Sequence, residues 1–409
     1  MRKREFIFVL FLLNSLQGLL QAQTFFQFSN GSEKQKIHFE LHRNIIVFPL
    51  YLNESGPYNF ILDTGASTCV ITDPKLVSQL NLSRGKEIVI KGFGEENGVQ
   101  AFLVHNIVVR YKNVISIPLT MPAFEEDPFY LSEYLGTDIH GILGFEFFNS
   151  FHVRINYQNQ TITLFKPDFD YNKKKYSAID IDVRNKKPFI KGYCSFINDS
   201  VFPVDLLIDT GAGFPVLLET YSSPSIKIPE KYIEAELGVG LNGVIAGSIA
   251  RCSLIGFGDY LFHNVVTAFP DYASSGLKQQ NEQRNGSIGN FILNRFTIIF
   301  DYAGGLMYVK PNTHLREPFV YDRTGLEIIA TGEGFVQFIV KTVKTGSPAA
   351  EIGILPGDEI EQINFRHITS YTLTEIDYLL SNPKSASITL RIKRNNEIFF
   401  MLIEMRDLI

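Results

Sequence analysis

An apolar stretch that ends in a carboxylate is written twice in this chain. Phe60-Ile61-Leu62-Asp63-Thr64-Gly65-Ala66-Ser67 returns 146 positions later (209 − 63) as Leu206-Leu207-Ile208-Asp209-Thr210-Gly211-Ala212-Gly213. Each copy reads as a strand that delivers an Asp into a tight glycine turn. A lone buried carboxylate is costly, so such a strand fills a core badly. Two carboxylates that face each other can share a proton, because like charges in contact cannot both ionise. The chain must therefore fold so that two equivalent strand ends meet.

The repetition extends well beyond the signature. Gly92-Phe93-Gly94, at the tip of a strand-turn-strand segment, is matched 146 positions later by Gly238-Val239-Gly240. Glycine supplies the positive φ that such tips need, so both read as hairpins hung over an Asp. Gly92, Phe93, Gly94, Gly238 and Gly240 are the candidate flap residues, with Phe93 either covering a substrate or packing on its own hairpin. Gly141-Ile142-Leu143-Gly144 is echoed by Gly286-Ser287-Ile288-Gly289, and Phe151 to Tyr157 by Phe296 to Tyr302. A period this long indicates a duplicated domain rather than a solenoid. Short β runs with Pro and Gly between them predict mainly β structure, including a hairpin of Ile45–Leu52 and Tyr58–Leu62 across a turn at Asn53–Pro57.

On these motifs the chain resembles the aspartic proteases, whose Asp-Thr-Gly signature occurs once per lobe in two-lobed forms and once per subunit in retroviral homodimers. The resemblance implies a mainly β fold, in which two duplicated retropepsin-like β-barrel lobes, over residues 27–167 and 176–311, form a bilobal aspartic protease. It implies a catalytic pair, Asp63 and Asp209, that activates water for peptide hydrolysis. Thr64 and Thr210 would hydrogen-bond across the lobes, and Gly65 and Gly211 would let the backbone approach the dyad. The hydrophobic-hydrophobic-Gly segments ending at Gly144 and Gly289 would support the catalytic loops. Ala66 and Ala212 stand where pepsin-like relatives carry Ser or Thr, which predicts a dyad working at milder pH. Two other readings stay open: Asp turns that cap strands, or a cleft of this fold that binds peptides or acts as a scaffold without cleaving, for which Gly213 in place of Ser67 is the observation.

The third region, 325–409, resembles a bacterial PDZ domain. Ser347-Pro348-Ala349-Ala350-Glu351-Ile352-Gly353-Ile354-Leu355-Pro356-Gly357-Asp358-Glu359-Ile360 reads as a short helix, a turn and a strand, with Pro348 suited to a first helical turn and Gly353 to a C-cap. A strand over Phe335–Val343, a longer helix over Thr372–Leu380 and strands over Ser387–Arg394 and Glu397–Glu404 complete this small α+β unit. The resemblance implies that a peptide C-terminus can join as an extra strand, with Gly332, Glu333, Gly334 and Phe335 as the candidate carboxylate loop. Docking against the protease lobes, or pairing with another protein, is the competing reading.

With 409 residues, 45% of them hydrophobic, the chain can build two or three cores. The net charge of −5 comes without a basic stripe, so no nucleic-acid partner is expected. Met1-Arg2-Lys3-Arg4, then the apolar run Phe6–Leu13, then Leu20-Gln21-Ala22 reads as a signal peptide over 1–22. That predicts an exported protein, periplasmic or extracellular; retention of this segment would instead anchor it to a membrane. Three cysteines, Cys69, Cys194 and Cys252, are too few for a disulfide framework, although Cys194 and Cys252 could pair. The eight histidines follow no zincin pattern, and neither a G-x-S-x-G elbow nor a zinc-type Cys pair occurs. No metal and no cofactor are expected. The partners are a peptide or protein substrate and, in the PDZ-like groove, a peptide C-terminus; with both carboxylates on one chain, the expected state is a monomer.

Overall fold

The structure is a computed structural model that describes residues 24–90, 99–127, 129–196, 200–240, 243–271 and 284–409. The segment 1–22 and the flap candidates Gly92, Phe93 and Gly94 lie outside the described residues. The protein is mainly β.

In the first half, β1 (Ile45–Leu52) and β2 (Ser55–Leu62) form the hairpin that leads into Asp63. Its turn is tighter than the sequence predicts. Asn53 and Glu54 both take positive φ, 47° and 65°, a left-handed pair whose twist suits a two-residue connection, so the strand resumes at Ser55. There follow β3 (Val70–Ile71), the hairpin arms β4 (Arg84–Ile90) and β5 (Val99–Ile107), β6 (Leu119–Phe124), α1 (Leu131–Leu135), β7 (Gly141–Leu143) and α2 (Phe145–Ser150). After them come β8 (His152–Asn156) and β9 (Thr161–Phe165).

The second half contains β10 (Lys187–Ser195), β11 (Phe202–Asp209), β12 (Val216–Leu218), β13 (Tyr232–Gly240), β14 (Gly243–Phe257), β15 (Tyr260–Pro270), β16 (Gly286–Gly289), α3 (Asn290–Leu293), β17 (Phe296–Asp301) and β18 (Leu306–Pro311). The sheet of the first half runs in the order β1-β2-β7-β3-β6-β5-β4, and that of the second in the order β10-β11-β16-β12-β15-β14-β13. These seven-strand orders, set within sheets of 11 and 8 strands, correspond strand for strand, so the sequence repeat is a repeat of topology.

A further sheet joins the halves. β8 runs antiparallel to β17, with Val153 opposite Phe300 and Ile155 opposite Ile298, and β9 and β18 flank them. The apolar core is continuous across this joint. Phe148 meets Phe300 edge-on and stacks on Tyr302, in both cases with ring centroids 5.5 Å apart. All three cysteines are buried free thiols; Cys194 and Cys252 are in contact, Sγ to Sγ 3.1 Å.

The C-terminal region has its own core. β19 (Leu326–Thr331), β20 (Gln337–Val343), α4 (Pro348–Glu351), β21 (Glu359–Ile363), α5 (Leu373–Ser381), β22 (Ser387–Arg394) and β23 (Glu397–Glu404) make a sheet in the order β19-β20-β21-β22-β23. Ser347 caps α4 with Pro348 in its first turn. Thr372 and Glu375 close a capping box that starts α5. The strand expected from Phe335 begins at Gln337, because Phe335 has φ +56° in the preceding turn.

Candidate active site

Each signature strand is held from below by the strand that ends in the hydrophobic-hydrophobic-Gly segment. β7 lies parallel to β2 with Leu143 opposite Leu62, and β16 lies parallel to β11 with Ile288 opposite Ile208. The Asp63 amide then donates to the Leu143 carbonyl at 3.0 Å. Both Asp residues are thereby carried to the ends of strands that are fixed on two sides.

The turns aim the carboxylates at each other. Gly65 N donates to Asp63 Oδ1 at 2.6 Å, and Gly211 N donates to Asp209 Oδ1 at 2.9 Å. The two carboxyl groups hydrogen-bond to one another. A Cβ on Gly65 would lie 3.0 Å from Asp209 Cγ, and one on Gly211 only 2.5 Å from Asp63 Cγ. Each glycine therefore faces the opposite carboxylate, and a side chain at either would push the pair apart.

Beneath the dyad the threonines cross. Thr64 N donates to Thr210 Oγ1 at 3.0 Å and Thr210 N to Thr64 Oγ1 at 3.0 Å. The hydroxyls go on to donate to backbone carbonyls of the opposite half, Thr64 to Ile208 at 2.6 Å and Thr210 to Leu62 at 2.8 Å. Both side chains are buried and fully used.

Burial is the largest cause of a raised carboxyl pKa at both sites. Asp63 is pushed up to about 8, with the charge of Asp209 as the next cause. Asp209 is also raised, but the positive charge of Arg284 pulls it back, as does the hydrogen bond from Asp63. Of the two, Asp63 is therefore the carboxyl raised further and Asp209 the one helped toward its charged form.

Several residues around this pair were not singled out by the sequence. Arg284 is buried and pairs with the equally buried Glu219, Nε to Oε1 2.9 Å. Its counterpart in the first half, at the 145-residue offset, is the apolar Ile139. Lys187 adds a second positive charge felt by both carboxylates. Asn290 Nδ2 donates to the Thr210 carbonyl at 2.5 Å, and Tyr157 of the first half donates its hydroxyl to Asn290 Oδ1 at 2.7 Å. The equivalent of Asn290 is Phe145, so the equivalent of Tyr157, Tyr302, keeps a buried hydroxyl without a hydrogen-bond partner among the described residues. Setting the two halves side by side would have exposed both asymmetries.

Of the flap candidates, Gly238 occupies an irregularity in β13, where the register shifts between Glu236 and Gly238, and Gly240 ends that strand opposite Gly243. The four candidates for a carboxylate loop need correction. Gly332, Glu333, Gly334 and Phe335 form the turn between β19 and β20, at the C-terminal end of the edge strand. A peptide added antiparallel to β19 would carry its C-terminus to the opposite end, near Gly325. Their G-x-G-F spelling suggested the role; strand direction removes it.

A comparison with curated proteins returns no match. Two family models do match. Residues 48–147 fit the model described as aspartyl protease and residues 339–394 the model described as PDZ domain, so the chain carries an aspartyl protease domain followed by a PDZ domain.

Proposed function

We propose that this protein is an aspartic endopeptidase whose nucleophile is a water activated between Asp63 and Asp209. The observation that carries the reading is the pair of buried carboxyls set face to face on glycine turns, each with its pKa raised above the usual carboxylate range. Asp209, biased toward its charged form by Arg284, accepts a proton from the water as its oxygen attacks the scissile carbonyl carbon. Asp63 donates its proton to the carbonyl oxygen. The tetrahedral diol then collapses: the C–N bond breaks, the proton held by Asp209 passes to the leaving nitrogen, and one diol hydroxyl returns its proton to Asp63, which leaves a carboxylic acid and restores the starting protonation of the pair. No covalent intermediate forms. Thr64 and Thr210 hold the two loops in register, and the β13–β14 hairpin is a flap over the cleft. The basic start and apolar run of residues 1–22 support export.

Digestion of a peptide library with and without a transition-state mimic of aspartic proteolysis tests this. Cleavage that the mimic blocks, and that Asp63→Asn and Asp209→Asn each abolish in folded protein, is the expected result, since the dyad acts as a unit. Substantial turnover by either variant would overturn the mechanism. Binding of the mimic without any cleavage would point to a peptide-binding protein.

A further inference from the structure

β19 is the outer strand of the PDZ sheet and α5 packs beside it. A strand and helix so placed can take an extended peptide as one more strand. In this chain the first half already occupies that groove. Arg43, just before β1, reaches both elements. Its Nε and Nη2 donate to the two carboxylate oxygens of Asp377 on α5, at 2.8 and 2.9 Å, and Nη2 also donates to the Ile328 carbonyl on β19 at 2.7 Å. Its Nη1 donates to the Tyr134 carbonyl at 2.9 Å, and its backbone N to Thr374 Oγ1 at 2.9 Å. Only 8% of Arg43 is exposed, and a guanidinium tolerates such burial only when paired. Beside it, Gly136 ends α1 at φ +70°, and a Cβ there would come within 3.1 Å of Leu373 on α5.

The same corner reaches the catalytic loop. The Arg43 guanidinium lies over the Tyr134 ring, 4.8 Å from its centroid. The nearest neighbours that a Cβ on Gly213 would meet are the Arg43 carbonyl, at 3.6 Å, and the Tyr134 hydroxyl, at 3.9 Å. Gly213 closes the turn that follows Asp209, so Arg43 and Tyr134 stand beside the loop of the second carboxylate.

We infer that the partner of the groove between β19 and α5 is the first half of this same chain, and that docking there holds Arg43 and Tyr134 as a wall of the cleft beside the Asp209 loop. A peptide adding to β19 must take the Ile328 carbonyl from Arg43, so peptide capture and docking exclude each other. Displacing the PDZ domain loosens the corner and slows cleavage. The docking stands on its own contacts; the effect on cleavage rests on the peptidase reading.

Asp377→Ala in the full chain removes the anchor from a half-exposed position on α5, away from the dyad. Hydrogen exchange in 131–136 and 326–331 is expected to quicken by about tenfold or more, while β2 and β11 stay protected. kcat/KM on a short peptide is expected to fall by about tenfold, and Asp377→Glu to restore most of it. Thr374→Ala, which removes only the bond to the Arg43 amide, is expected to shift both readouts the same way by less, and it decides the matter if Asp377→Ala does not fold. Exchange unchanged in both segments would overturn the docking. Faster exchange with unchanged kcat/KM would overturn the wall. If the wild type cleaves no peptide, the peptidase reading and the wall fall together, and the exchange result alone decides the docking.

Discussion

Asp63 and Asp209 are equivalent in sequence and unequal in surroundings, and the inequality sets how the pair titrates. Burial raises both; the charge of Asp209 adds to the rise of Asp63, whereas Arg284 and the hydrogen bond with Asp63 pull Asp209 back. Their backbone donors are the amides of Gly65 and Gly211, while Ala66 and Ala212 have no hydroxyl to offer. In the proposed mechanism cleavage requires the state with one shared proton, so the activity should persist through neutral pH and decline as the pair loses that proton, around the value of about 8 reached by Asp63. A donor to the charged form lowers a carboxyl pKa. Ala66→Ser combined with Ala212→Thr should therefore move both limbs of the kcat/KM profile toward acid, the limbs belonging to the pair rather than to either residue. A folded, active double variant with an unmoved profile, or a wild type already optimal in strong acid, would show that these two alanines do not set the working pH.

At the scale of elements, the crossed threonines are where two strand ends become one site. Thr210→Val keeps the volume but strands two buried backbone groups, the Thr64 amide and the Leu62 carbonyl. Each unsatisfied group costs about 1–3 kcal/mol, so urea unfolding should show a loss of about 3 kcal/mol with an unchanged m-value, together with slower turnover. A loss below about 1 kcal/mol would mean that the loops hold their register without this crossing. The strands that carry Asp63 and Asp209 could be read in advance because the same apolar-Asp-Thr-Gly run appears in both copies at a fixed offset. The crossing itself was expected only by resemblance. Arg284 opposite Ile139, and Asn290 opposite Phe145, are departures from the repeat, and a search for likeness passes over them. Gly332–Phe335 were misplaced for a different reason: a four-residue spelling carries no information about which end of the strand it occupies. Docking of the PDZ domain on the protease lobes was one reading of the sequence, but its residues were not legible, because Arg43 and Asp377 are more than 300 residues apart and neither has a local pattern that names the other.

For the whole molecule, the decisive feature is that the joint between the halves is built from both. β8 and β17 pair in one sheet, Phe148 packs on Phe300 and Tyr302 across it, and Tyr157 of the first half braces the loop of Asp209 through Asn290. In a homodimer with one signature per subunit, such contacts form only when two chains meet, and activity per chain falls once the concentration drops below the dimer dissociation constant. Here one chain carries both carboxylates and both sides of the joint, and the proposed site needs no group from a second copy. Turnover per chain should accordingly stay constant on serial dilution, with a sedimentation profile of one chain throughout the range in which activity is measured. Specific activity that fell on dilution in step with dissociation of a dimer would show that the working site borrows a group from a second copy. The single-chain reading of Asp63 with Asp209 would then have to be abandoned.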